Sequence, residues 1–218
     1  MAQVFHPGAN VLARASLVAF ILLPVGLVGA GMGLTRSSYN TKVGVPLDQP
    51  VPFSHEHHVN QLGIDCRYCH TSVEKSAFAG VPPTHTCMSC HSQIWTNSPL
   101  LEPLRESYRT GIPLKWNRVN KLPDFVYFNH SVHIKKGIGC DQCHGKINHM
   151  NLTSKANTFF MSWCLTCHRD PEKFIRPRDR VFNLDYEHPA NQDELGKHLV
   201  EKYHVRKDQL TDCWVCHH

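Results

Sequence analysis

The chain has 218 residues, a length for one or two domains, with ten cysteines, seventeen histidines and a formal charge of +5. Fourteen Pro and thirteen Gly weigh against a strand-rich core and for long loops. The positive balance alone suits acidic partners, a reading that the cysteine spacings below overturn.

Residues 1–14 are short and polar, with Arg14 as their only formal side-chain charge. From Ala15 to Leu34 run 20 residues without a charge, bracketed by Arg14 and Arg36. As a helix this stretch spans about 30 Å, the thickness of a bilayer core. Two readings stay open. One is a retained transmembrane anchor over residues 1–36. The other is a cleaved signal peptide, with Leu17 to Val28 as its apolar region and Val28-Gly29-Ala30 as its cleavage site. Gly29 and Gly33 have the spacing that admits a second helix, though glycine is also common in membrane helices generally. Pro24 is expected to kink the span.

Residues 37–52 form a linker with Gly44, Pro46 and Pro50. Phe53-Ser54-His55-Glu56-His57-His58 follows, and then Cys66-Arg67-Tyr68-Cys69-His70. A second Cys-x-x-Cys-His run, Cys87 to His91, belongs to the same unit, residues 37–96. Ser98 and Pro99 read as the N-cap and first residue of a helix within a connector, residues 97–127. Leu100, Leu104 and Tyr108 are expected on its apolar face, with Gly111 as its stop.

The pattern then returns. Phe128-Asn129-His130-Ser131-Val132-His133 precedes Cys140-Asp141-Gln142-Cys143-His144, and Cys164-Leu165-Thr166-Cys167-His168 belongs to the second unit, residues 128–175. Phenylalanine to first cysteine is 13 positions in one copy and 12 in the other, and the next pair lies 21 or 24 positions on. This is an internal repeat. Residues 176–218 add a Pro- and Arg-containing loop and an expected capping box of Asn191 with Glu194. They also hold an apolar face of Leu195, Leu199 and Tyr203, and a fifth run, Cys213 to His217.

Every cysteine thus belongs to a Cys-x-x-Cys pair, and a histidine follows each of the five pairs. A lone pair equally suits a redox dithiol or half a zinc site, but neither requires that histidine. The run is the attachment signal for a c-type haem. The thiols of Cys66, Cys69, Cys87, Cys90, Cys140, Cys143, Cys164, Cys167, Cys213 and Cys216 would add to porphyrin vinyl groups. His70, His91, His144, His168 and His217 would ligate iron from one side. Five c-type haems are expected. Their propionates offset the basic balance and exclude a nucleic-acid partner. So few residues per haem leave the haems to fill much of the apolar interior. The expected fold is a multihaem cytochrome c: short helices and long loops around five haems, little or no sheet, and one N-terminal transmembrane helix.

Twelve of the seventeen histidines lie outside the runs. His55, His58, His130 and His133 share the repeated pattern. Two histidines three apart share one side of a helical turn, so one segment can serve two neighbouring irons. The fifth iron is left with Met150 or Met161, whose thioethers would give His/Met ligation and whose ordinary role is apolar packing. His57, His85, His149, His188, His198, His204 and His218 compete, with His149 foremost.

The strings Pro52-Phe53-Ser54-His55, Gly63-Ile64-Asp65-Cys66-Arg67-Tyr68-Cys69-His70, Leu122-Pro123-Asp124-Phe125-Val126-Tyr127-Phe128-Asn129-His130 and Trp163-Cys164-Leu165-Thr166-Cys167-His168-Arg169-Asp170-Pro171-Glu172-Lys173 carry a resemblance over nearly the whole chain. With the N-terminal span, the chain resembles the pentahaem cytochrome subunit of bacterial alternative complex III, a quinol-oxidising membrane complex. The resemblance implies a haem wire on the outer face of the cytoplasmic membrane. It would take electrons from an iron–sulfur subunit, beside integral membrane subunits, and pass them to a monohaem cytochrome or a terminal oxidase. The expected role is electron transfer without catalytic residues. The alternatives are a multihaem redox enzyme with an open haem and a quinol dehydrogenase membrane anchor.

Overall fold

The computed structural model describes residues 4–217. It divides into a first unit ending at Lys42 and a second beginning at Val43. In the first, α1 (Ala9–Arg36) and α2 (Ser38–Thr41) follow one another. α1 is unbroken across Pro24 and buries none of its residues. Among the described residues it is the one helix long and apolar enough to cross a membrane. Its 28 residues rise about 42 Å. Its exposed Leu, Val, Ile and Phe side chains face no protein core.

The second unit is built from short helices: α3 (Cys66–Cys69), α4 (Thr84–His91), α5 (Glu102–Thr110), α6 (His130–Lys135), α7 (Cys140–His144), α8 (Met161–Arg169), α9 (Gln192–Lys202) and α10 (Cys213–Cys216). Among the described residues there is no strand, only isolated bridges such as Val126 with His217 and Ile138 with Ile175. The expected class of short helices, long loops and an N-terminal span is what the chain adopts. All five Cys-x-x-Cys-His runs are on or at the end of helices, because one helical turn presents both thiols and the imidazole together. α3, α7 and α10 consist of little else. α4 ends on its run, and α8 extends one residue beyond its own.

Little apolar side chain is fully buried. One cluster joins Val51, Leu101 and Leu104, with Cys87, Met88, Leu114 and Trp116 against it. A second joins Ile175, Leu199 and Tyr203, with Leu195 beside them. The expected face of α9 is therefore present, and in this structure it packs on Ile175.

Two local expectations change. The connector helix buries Leu101, Leu104 and Ser107, whereas Leu100 and Tyr108 are more than half exposed. The cause is a 3₁₀ turn at Pro99–Leu101 ahead of α5. It winds three residues per turn rather than 3.6 and so shifts which leucine faces inward. Gly111 does end α5, in the left-handed conformation at φ 72°. The Asn191–Glu194 capping box does not form. Asn191 sits at φ −97°, ψ 32°, outside the extended region, and its side chain makes no cap bond. Gln192 anchors the helix start instead, donating from Nε2 to the carbonyls of Glu172 and Ile175 at 2.8 Å each.

α9 lies against the turn Pro171–Lys173 through Gly196, where an added Cβ would strike the Glu172 backbone. Gly196→Ala is expected to destabilise the chain by about 1–3 kcal/mol through overpacking. Thermal unfolding of the variant checks this, and an unchanged midpoint would contradict it.

Candidate functional site

Two copies of one module organise the site. In each, a phenylalanine stands edge-on to the first histidine and stacks on the second. Phe53 lies 4.9 Å from His55 at 85° and 4.4 Å from His58 at 24°. Phe128 lies 4.8 Å from His130 at 89° and 4.4 Å from His133 at 26°. The residue after each phenylalanine caps the turn. Ser54 Oγ accepts from the His57 N–H at 3.1 Å, and Asn129 Oδ1 accepts from the Ser131 N–H at 2.9 Å. One local sequence thus folds one way twice.

The second histidine of each module meets the histidine of a cysteine run. The ring centres of His58 and His91 are 6.2 Å apart, and those of His133 and His168 are also 6.2 Å apart. His130 and His144 lie 6.4 Å apart with nearly parallel rings, at 4°. Two imidazoles on opposite sides of one metal ion, with nitrogens about 2 Å from it, have ring centres about 6 Å apart. The three spacings fit that arrangement. His55 is the repeat equivalent of His130, and after burial the charge it feels most is that of His70.

The other ring nitrogens are anchored. Nδ1 of His58 donates to the Ser54 carbonyl at 2.8 Å, and Nδ1 of His133 to the Asn129 carbonyl at 2.8 Å. His70 uses the Gly80 carbonyl at 2.7 Å, His130 the Ala77 carbonyl at 2.8 Å and His168 the Leu210 carbonyl at 2.8 Å. His91 and His217 reach the carbonyls of Ile94 and Phe125 at 3.2 Å each. His55 Nδ1 faces Thr153 Oγ1 at 3.1 Å. His144 Nδ1 faces the Asn120 carboxamide at 3.0 Å, and Asn120 Oδ1 is buried without a partner. Turning that carboxamide over lets Nδ1–H donate to Oδ1 and satisfies both groups. An engaged Nδ1 fixes the tautomer and leaves Nε2 free to take a metal ion.

The electrostatics agree. Burial, helped by neighbouring imidazoles, lowers both His55 and His144 to about 4. Burial also lowers His58 and His133. Neutral imidazole is the form that binds metal. Burial pushes the Cys140 and Cys143 thiols up to about 12. A redox dithiol needs the opposite shift. Among the described residues all ten cysteines are free, and no three His, Cys, Asp or Glu side chains converge as a zinc centre requires.

The competing histidines are placed differently. His149 is exposed, with Nδ1 3.1 Å from Glu56 Oε2 and Nε2 3.6 Å from Asp185 Oδ1. His57 is exposed and bonded to Gln61 Oε1 at 2.9 Å. His85, His198 and His204 are also exposed. His188 is half-buried, its Nε2 3.4 Å from the Gln142 amide. His218 lies outside the described residues. Met150 is half-buried beside Ser154 Oγ, at 3.9 Å. Met161 is 61% exposed, one turn before Cys164 on α8.

One supporting residue was not legible in the sequence. Arg176 is fully buried, with Nη1 2.8 Å from Asp141 Oδ1, inside the third cysteine run. Its guanidinium also donates to the Asn183 carbonyl at 3.2 Å and lies over the Tyr186 ring. Gly139 leaves the space it occupies. Neither Asp141 nor Arg176 carries a pattern that pairs them, since 35 positions separate them.

No protein-family model matches the chain. Over 210 residues it is 37% identical to the menaquinone reductase, multihaem cytochrome c subunit, of Nitratidesulfovibrio vulgaris strain Hildenborough. The match covers 91% of this chain and 88% of that protein.

His58→Ala and His133→Ala are each expected to let carbon monoxide bind one reduced haem. His149→Ala is expected to add none. Carbon monoxide difference spectra check this, and binding in the His149 variant alone would contradict it.

Proposed function

The chain belongs to the multihaem cytochrome c subunits of the menaquinone reductase kind, and on that premise we propose that it transfers electrons without performing substrate chemistry. The observation that carries this reading is the pairing of anchored imidazoles 6.2–6.4 Å apart. An iron held between two such imidazoles would have no position left for substrate. When bound, each haem supplies a reversible one-electron couple. The chain's own residues tether the group through paired thiols, fix ring orientation through backbone carbonyls and keep charge off the imidazoles by burial.

Five haems are proposed, one per run. His55 would face His70, His58 would face His91, His130 would face His144, and His133 would face His168. Met161 would face His217. It stands one turn before Cys164 on α8, and His168 of the same helix donates from Nδ1 to the Leu210 carbonyl just before the fifth run. Met150, held beside Ser154, is assigned to packing. The two-haem units are residues 37–96 and 128–175, joined by the connector 97–127, with the fifth haem on 176–218.

In this reading α1 is retained and anchors the chain in the cytoplasmic membrane. The haem-bearing unit lies on the outer face, where c-type haems are attached. The chain would work inside a quinone-linked complex with integral membrane subunits, an iron–sulfur subunit and a monohaem cytochrome or terminal oxidase. The motifs that resemble alternative complex III favour quinol oxidation. The name of the Nitratidesulfovibrio relative favours the reverse direction, menaquinone reduction.

The intact membrane complex separates these readings. Menaquinol added to oxidised membranes is expected to reduce the haems of this chain, with their α-band appearing as menaquinol is oxidised. Quinone reduction from a low-potential donor, without menaquinol-driven haem reduction, would establish the second direction. Absence of both would overturn the electron-transfer role.

A further inference from the structure

We propose that the five attachment sites lie in space in the order second, first, third, fourth, fifth, so that chain order and spatial order differ at the first unit. This rests on the reading of the five runs as haem sites.

The joint between the first and third sites is a reciprocal exchange. The segment after the third run braces the first histidine pair. The Glu56 N–H donates to the Met150 carbonyl at 3.1 Å, and Thr153 Oγ1 meets His55 Nδ1 at 3.1 Å. The segment after the first run braces the second pair in turn. The Ala77 carbonyl accepts from His130 Nδ1 at 2.8 Å and from its N–H at 3.2 Å. The Ser76 carbonyl accepts from the Ser131 N–H at 3.2 Å. Each module is thus held by the other unit's chain, as in a two-fold pair, which sets the first and third sites side by side.

From that centre each module leads outward. His55 and His58 share one turn, and His58 faces His91 of the second run. The Tyr68 hydroxyl of the first run also meets Ser89 Oγ of the second at 3.0 Å. His130 and His133 likewise share α6, and His133 faces His168 of the fourth run. The fifth site continues from the fourth. Nδ1 of His168 donates to the Leu210 carbonyl at 2.8 Å, three positions before Cys213.

The ends of the row are the second and fifth sites, which is where outside redox partners would connect.

The test uses the full chain in its membrane. His55→Met and His58→Met each turn one imidazole pair into an imidazole–thioether pair, which is reduced at higher potential. Poised so that this iron and the native imidazole–thioether site are reduced, and compared with the unaltered chain at the same potential, the variant differs only in that the new site's ferric neighbours lose a paramagnetic partner. Low-temperature EPR relaxation then counts neighbours. The proposed order predicts that His55→Met alters two ferric signals and His58→Met alters one. A row in chain order predicts the reverse, one and two, and would overturn the proposal, as would equal counts. If His55→Met fails to accumulate, His58→Met alone decides between one and two. A pyridine haemochrome count is taken on the same samples. Fewer than five haems in the unaltered chain would overturn the reading of the runs, and five with the wrong neighbour count would overturn the order alone.

Discussion

The structure depends on holding an imidazole by its far nitrogen. A histidine beside a metal has a free ring to turn, and a ring that turns loses its ligand geometry. Here Nδ1 of most of the run histidines, and of three of the four module histidines, is taken by a backbone carbonyl. Backbone acceptors cannot rotate away, so each ring is set by the fold itself. The loops that connect the helices are therefore the parts that aim the imidazoles. Gly80, Ala77 and Leu210 matter for their carbonyl oxygens, and their side chains are incidental to that role.

The same constraint explains how a chain with a small protein core keeps a defined shape. Leu104, Ile175, Val181 and Leu199 are buried, but the clusters around them are small and separate. Order comes from carbonyl-anchored rings, from Phe53 and Phe128 wedged against their histidines, and from the buried Arg176–Asp141 pair. Such a pair resists the loss of either partner, because the survivor is an uncompensated buried charge. Its position inside the third run makes it a brace for that run.

The Cys-x-x-Cys-His runs, the duplicated Phe-x-His-x-x-His module and the apolar span were all legible in the sequence, since each is a short local pattern. Leu199 and Tyr203 were legible as a face because α9 is regular. Leu100 was misplaced because a 3₁₀ turn at Pro99–Leu101 changes the helical period, and a sequence pattern assumes that period in advance. The capping box failed because Asn191 is held outside the extended conformation while Gln192 bonds to a distant loop. The carbonyl acceptors were invisible, since any residue carries one. Arg176 was invisible because its partner is remote in sequence. His149 competed for the fifth position because it adjoins Met150, and its two carboxylate contacts are long-range facts of the fold.

Near-infrared magnetic circular dichroism of the fully oxidised chain tests the paired-imidazole account most directly, because its charge-transfer bands report axial ligand type. The account predicts bis-imidazole intensity from four of the five sites whose runs the sequence carries. A spectrum dominated by high-spin or single-imidazole iron would contradict it.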